Sequence, residues 1–431
     1  MVYDEDRIPV VTAFVHSDER IALVKRSREV GTYQGKWAGF SGYVEQLPLL
    51  QALAELKQEA GLDEDQVNLE GIGVPMRVDD GEDHWLVFPF LFKLVPGAQI
   101  RTDCEAEELE WFRPDEVSKL DAVPQLGAAF ESVWPGFGTL EFWNGLAEVA
   151  SDRREGATEL ARRGMRTLGA YAENNWDQID MDTLYRAIRA FAASRPSMGV
   201  FPNLASRLIL GIGGEAGEYN LDELISELLS SIDDAMELSI NNARDCLKGV
   251  HRLFTLSYSE STRRTIEEWH TEESVVLVGE SSPGKEGLYL AEYLRQQGVN
   301  IEIVCDNNIR DAVLSSDAVL VGCDSITFDD QIQNKVNTRT AVMTAHKAGI
   351  PSYVITQTFK VTPPGWPIFL ECQVEDVEAE NHVESTEGCR VFDLTPIDAF
   401  REIISDEGPL TESRITDIRD LLGSAGLVAV E

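Results

Sequence analysis

Apolar residues in this chain recur first at the spacing of strands, then of helices, then of strands and helices in alternation. Ile8 to Val15 is apolar and β-branched, and Ile21 to Val24 repeats the pattern after the turn-like Ser17-Asp18-Glu19. This predicts paired strands of one sheet. A glycine-rich turn region from Gly35 to Glu45 leads to a helical pattern from Leu49 to Glu59 that stops at Gly61. Further strands are predicted at Leu69 to Val74, Trp85 to Leu94 and Glu108 to Phe112. Together they predict an α+β domain over residues 1–125.

Residues 126–149 are aromatic and glycine-rich, with Trp134-Pro135-Gly136-Phe137-Gly138 breaking any period, and read as a linker. Helical spacing then covers Ala157 to Asn174, Met181 to Ala193, Asn203 to Ile212 and Leu221 to Ser257, which predicts a helical subdomain over 150–257. From 258 to 431 short apolar runs at Ser274 to Val278, Ile301 to Cys305, Ala318 to Gly322 and Ser352 to Ile355 alternate with helical segments. That alternation predicts a doubly wound parallel sheet of Rossmann-like type, so the overall class is α/β.

Charge changes the picture more than length does. The 431 residues carry a net charge of −38, and no lysine occurs between Lys119 and Lys248. Such a surface repels itself unless salt screens it, which points to a halophilic protein. Carboxylate runs such as Glu105 to Glu110 and Glu375 to Glu384 therefore read as solvated faces. The same charge argues against direct binding of duplex nucleic acid, whose phosphates require a basic footprint. Six scattered cysteines, without a paired spacing, read as buried thiols of a cytoplasmic protein. The acidic start and the lack of an apolar run near the ~18 residues of a membrane span argue against export or membrane insertion.

Within the first domain, Gly35-Lys36-Trp37 through Gly42 and Glu45, followed by Ala54-Glu55-Leu56-Lys57-Gln58-Glu59-Ala60-Gly61-Leu62, resembles the Nudix family. The resemblance implies a Nudix fold with magnesium held by helix carboxylates, here Glu55 and Glu59 with Glu45. Their spacing of four places Glu55 and Glu59 on one helical face. Ala54 stands where the family has an arginine and Gln58 where it has a glutamate, and the interval from Gly42 to Gly61 is two residues short. The Nudix box is therefore degenerate.

Beyond residue 150, the blocks Ser194-Arg195-Pro196-Ser197, Phe254 to Ser259, Val321 to Ile326 and Asn334-Lys335 resemble the translation initiation factor 2B superfamily, which includes the ribose-1,5-bisphosphate and methylthioribose-1-phosphate isomerases. The resemblance implies catalytic positions at Asp324 and Ser257. It also implies ligand or phosphate contacts from Arg195, Asp306, Asn334 and Lys335. The segment holding Glu280 and Lys285, Gly279 to Gly287, follows a strand and opens a helix, so its amides read as an anion receptor. Ser257 occupies the position of the isomerase cysteine, and an alcohol cannot take the acid role of a thiol without an adjacent base. Leu256 to Ser259 and Gln357 to Lys360 are closer to the regulatory subunits of the initiation factor than to the isomerases.

The expected function is that of a regulatory protein binding a small phosphorylated metabolite or nucleotide, homodimeric through its C-terminal domain. A magnesium-dependent Nudix hydrolase of a nucleoside diphosphate derivative is the alternative. An aldose-phosphate isomerase using Asp324 comes third.

Overall fold

The computed structural model describes residues 4–213, 221–373 and 389–427. The acidic run Glu375 to Glu384 lies outside them. The chain divides into two compact units. One holds residues up to Arg153 with Arg163–Pro196 and Pro367–Phe369, and the other holds Arg154–Arg162, Ser197–Trp366 and the chain from Leu370.

The first unit is built on a mixed sheet of strands β1 (Ile8–Ser17), β2 (Arg20–Arg26), β3 (Trp37–Ala38), β4 (Phe40–Tyr43), β5 (Val67–Ile72), β6 (Met76–Asp80), β7 (Asp83–Leu94) and β8 (Ala106–Phe112). Strand β1 is central, antiparallel to β2 and β4 and parallel to β7. Helix α1 (Pro48–Ala60) opens with a proline, whose fixed φ suits the first turn, and stops at Gly61 in the left-handed region. It buries Leu49, Ala52, Leu56 and Ala60 along one stripe. Beside that stripe, Gln51, Glu55 and Glu59 recur every four residues and are buried as well.

The short α2 (Pro114–Val117) precedes the stretch read as a linker, and the structure differs there. Residues 126–149 form α3 (Leu126–Val133) and most of α4 (Leu140–Ser151), which bury Phe130, Phe142 and Trp143. Glycine and proline had hidden two short amphipathic helices. Helices α5 (Ala157–Asn175) and α6 (Met181–Ser194) follow. The whole of α6, read as part of the C-terminal domain, falls in the first unit.

The second unit begins its helices with α7 (Val200–Ile212) and α8 (Leu221–Cys246). Helical spacing was predicted to run on to Ser257, but Arg252–Leu256 is a strand, β9. A five-residue apolar run at the end of a helical pattern carries no period of its own. After α9 (Glu260–Trp269) come β10 (Val275–Gly279), α10 (Glu286–Gln296), β11 (Ile301–Val304), α11 (Ile309–Leu314) and β12 (Ala318–Val321). A three-stranded antiparallel sheet uses β13 (Ser325–Ile326), β14 (Gln331–Lys335) and, after α12 (Thr338–Ala348), β15 (Ser352–Ile355) and the ribbon β16 (Cys372–Gln373) and β17 (Cys389–Arg390), the strand β18 (Phe392–Pro396). Strands β19 (Glu402–Ser405) and β20 (Gly408–Pro409) and helix α13 (Glu412–Gly423) complete the unit.

The main sheet runs β11-β10-β9-β12-β15-β19-β20, parallel except for the last pair. Its strands are apolar on both faces, as a sheet covered on both sides requires. Leu253, Val276, Val278, Ala318 and Leu320 pack with α8, α9 and α10. Their neighbours Phe254, Leu277, Val319 and Val321 pack with α11, α12 and α13. This is the doubly wound arrangement, and its strand order reverses between β9 and β12, the position at which sheets of this kind bind ligands. Among the described residues, no helix is long and apolar enough to cross a membrane. Cys323 is buried, whereas Cys104 and Cys305 are exposed, contrary to the reading of all six thiols as buried.

Candidate functional site

In the first unit, Glu55 and Glu59 are each only 8% exposed and line a cavity of about 480 Å³ together with strand residues, the 29–33 loop and the start of the helix that begins at Leu126. The Gln51 side-chain amide donates to Glu55 Oε1 at 2.7 Å, and the Ser41 amide donates to Glu59 Oε2 at 3.2 Å. Burial, and next the neighbouring Glu55 charge, push the Glu59 carboxyl up to about 8. Burial likewise raises Glu55, against the Gln51 hydrogen bond. Buried carboxylates are costly unless something compensates their charge.

Glu45 lines the same cavity but is exposed, and its amide donates to Gln51 Oε1 at 3.3 Å. Glu105, placed on a solvated face by its acidic run, instead lines the cavity, while Glu107, Glu108 and Glu110 are exposed as expected. Ala54 points to solvent, and Gln51, one turn earlier than Glu55, takes over the orienting of that carboxylate. The repeat 51, 55, 59 was the signal for Gln51, which passes for a surface glutamine when read singly.

Among the described residues, no three His, Cys, Asp or Glu side chains form a ready-made metal cluster. The donors nevertheless fit magnesium as it is held by one or two carboxylates, with waters and ligand phosphates completing its shell. Glu55 and Glu59 would hold it, and bound there it would neutralise a diphosphate. The chain's own contribution is to fix Glu55 through Gln51 and Glu59 through the Ser41 amide.

In the second unit, Ser257 follows β9 and Asp324 follows β12, so they flank the reversal of strand order. Ser257 has a left-handed backbone, φ 67°, and its amide donates to Ser281 Oγ at 2.8 Å. Asp324 is held by main-chain bonds, its amide donating to the Gln333 carbonyl at 2.9 Å and its carbonyl accepting from the Gly199 amide at 3.1 Å. Cys323 beside it is 2% exposed, and burial pushes its thiol up to about 12.

Two amides of the expected anion receptor are occupied from within. The Asp306 carboxylate accepts from the Ser281 and Ser282 amides at 3.0 and 2.7 Å, and the Asp306 amide donates to Glu280 Oε1 at 3.0 Å. Glu280 and Asp306 therefore lock two adjacent loops together, which corrects the reading of those amides as free for a phosphate. Lys285 is exposed at the head of α10. Lys335 is 2% exposed and donates to Glu286 Oε1 at 2.6 Å, so its charge is matched internally. Asn334 is buried and donates to Thr338 Oγ1 at 2.9 Å. Arg195 belongs to the first unit, where it is buried and donates to the Asp152 carbonyl at 2.5 Å, tying the end of α6 to the end of α4.

A carboxylate-bearing helix packed on a mixed sheet, with a doubly wound unit after it, defines a two-part α/β protein. The family model of the NUDIX domain matches residues 6–132, and that of the initiation factor 2 subunit family matches residues 140–412. The chain belongs to the initiation factor 2 subunit family, fused to a NUDIX domain.

Three relatives show its surroundings. A putative translation initiation factor eIF-2B subunit 2-like protein of Pyrococcus abyssi is 28% identical over 61% of this chain and 94% of its own length. A ribose 1,5-bisphosphate isomerase of Archaeoglobus fulgidus is 25% identical over 65% of this chain and 93% of its own. The crystal structure of the translation initiation factor eIF-2B of Pyrococcus horikoshii superposes with a TM-score of 0.53 at 25% identity, covering 64% of this chain and 98% of that one.

Proposed function

We propose that this chain is an initiation factor 2B-like regulatory protein that binds a phosphorylated metabolite or nucleotide and does not isomerise sugars. The observation that carries this reading is Ser257 just past the carboxyl end of β9, with the thiol of Cys323, next to Asp324, sealed in the core and pushed up to about 12. Neither group supplies a proton to a sugar near neutral pH. Asp306 and Glu286 already occupy the Ser281 and Ser282 amides and Lys335, which supports the cavity of the first unit as the ligand site. The proposal includes magnesium at Glu55 and Glu59, a cytoplasmic location, adaptation to concentrated salt and a homodimer formed through the C-terminal domain.

The burial of Glu55 and Glu59 at one cavity favours a second reading, magnesium-dependent hydrolysis of a nucleoside diphosphate derivative. Incubation with ADP-ribose and magnesium, followed by phosphorus NMR, separates the two. The regulatory reading expects binding without turnover. Release of nucleoside monophosphate that disappears in Glu59→Gln would establish the hydrolase. Conversion of ribose 1,5-bisphosphate, lost in Asp324→Asn, would overturn the non-isomerising assignment.

A further inference from the structure

Helix α7 carries an arginine that the chain orients but does not neutralise. Arg207 is half-buried, and its guanidinium lies 4.6 Å from the centroid of the Phe359 ring, itself 7% exposed. Its Nε donates to Asn203 Oδ1 at 2.8 Å. The buried Asn203 is anchored in turn, donating to the Thr358 and Val361 carbonyls at 3.2 and 2.8 Å. Among the described residues no hydrogen bond reaches Arg207 Nη1 or Nη2, and neither atom is sealed from solvent.

The acids whose charge acts on this guanidinium are bonded elsewhere. Asp406 accepts from the Thr358 amide at 2.7 Å and from its hydroxyl at 3.0 Å, while Glu407 accepts two bonds from Arg414, at 2.7 and 2.8 Å. With 75 acidic side chains for 37 lysines and arginines, a shortage of acids does not explain the open fork. Burial holds the Arg207 guanidinium below its usual range. A cation withdrawn from water and left half-paired carries a free-energy cost that a bound anion relieves.

Arg207 lines a cavity of about 330 Å³ within the second unit, near the lower end of the range for small-molecule sites. Its apolar wall comes from Ala235 and Leu238 on α8, from Phe359, and from Ile418 and Leu421 on α13. Leu238 and Leu421 are 52% and 51% exposed, so apolar surface is left to water beside the open guanidinium. We propose that this cavity binds a small monoanionic carboxylate bearing an apolar group, with the carboxylate on the Arg207 fork and the apolar group against Leu238 and Leu421. Neither Glu59 nor Asp324 lines it, and the inference does not depend on the ligand site of the first unit.

Charge decides between carboxylate and phosphate. Two arginines, Arg207 and Arg414, and three acids, Asp234, Asp406 and Glu407, line the cavity. Its overall field therefore does not draw anions in. What holds one is the unmet fork at short range, whose planar geometry matches a carboxylate. That arrangement accepts a single negative charge and repels a second.

The test is ligand-observed NMR titration of the full chain in concentrated potassium chloride at about pH 8, where a phosphate monoester is a dianion. The probes are isocaproate, its uncharged amide, acetate and butyl phosphate. Isocaproate is expected to bind at least about tenfold more tightly than any of the other three. Arg207→Lys, which keeps the charge but not the fork, is expected to weaken isocaproate about tenfold. Leu238→Asp, at an exposed position, should weaken it to a similar extent, and it carries the test if circular dichroism shows that Arg207→Lys does not fold. Equal affinity for the acid and its amide, or no binding of isocaproate, overturns the inference. Isocaproate binding indifferent to Leu238→Asp places the ligand elsewhere and overturns it as well. Tighter binding of butyl phosphate overturns the assignment to a monoanionic carboxylate.

Discussion

The Glu55 carboxylate occupies the space that a side chain at position 42 would need: a β-carbon built on Gly42 would lie 1.9 Å from Glu55 Oε1. Position 42 is thus matched to the buried acid, and β4 approaches α1 closely because nothing projects there. Gly42→Ala is expected to fold, since the flexible end of Glu55 can swing aside, but to lose magnesium-dependent ligand binding. Circular dichroism and calorimetry with pyrophosphate check the two halves of that statement. Undiminished binding would show that the carboxylate position is unimportant.

The protonation of Glu59 predicts a particular dependence of stability on pH. Its folded pKa of about 8 lies above its ordinary value of 4.5, so the folded state holds the proton more tightly. Stability from this group is fully present below about 4.5 and is lost as pH rises through about 8. Burial raises Asp393 to about 7, which adds a slope of the same sign that ends earlier. Between pH 7 and 8 the slope from Glu59 should therefore outlast that from Asp393. Glu59→Gln should flatten the melting curve there and raise Tm at pH 8 by several degrees, at about 2–4 °C per kcal/mol for a unit of this size. Magnesium should flatten it as well in the wild type.

Lys335 and Glu286 form a pair in which the lysine is buried and the glutamate side chain is 30% exposed. Lys335→Ala leaves the carboxylate without its partner and is expected to destabilise the protein by about 1–3 kcal/mol, a fully buried pair costing more. The double variant with Glu286→Gln should recover part of that loss. Urea unfolding of the single and double variants measures the coupling. Additive losses would mean that the pair contributes nothing as a pair.

Salt dependence follows from the net charge of −38. Melting temperature should rise steeply between dilute buffer and about molar potassium chloride, where the Debye length falls to roughly 3 Å. Differential scanning calorimetry across that range is decisive, and a flat profile would remove the case for adaptation to salt.

Legibility in the sequence varied with how local each feature is. The i, i+4 spacing of Glu55 and Glu59 placed them on one face of α1, because helix geometry alone decides that. Their burial was not legible, since in so acidic a chain two more glutamates look like surface. Glu105 was concealed for the same reason, its neighbours Glu107 and Glu108 being solvated. Strand β9 was absorbed into the helix before it because five apolar residues fit either period. The part played by Asp306 needed tertiary structure: its partners Ser281 and Ser282 lie on another loop, across the β10–β11 pair.

The internal match between Lys335 and Glu286 keeps one buried charge of the second unit balanced within the chain itself. Mobile ions rearrange around exposed charges, but the lysine end of this pair, 2% exposed, lies out of their reach. Among the charges of so acidic a chain, that lysine should respond least to a change from fresh water to brine.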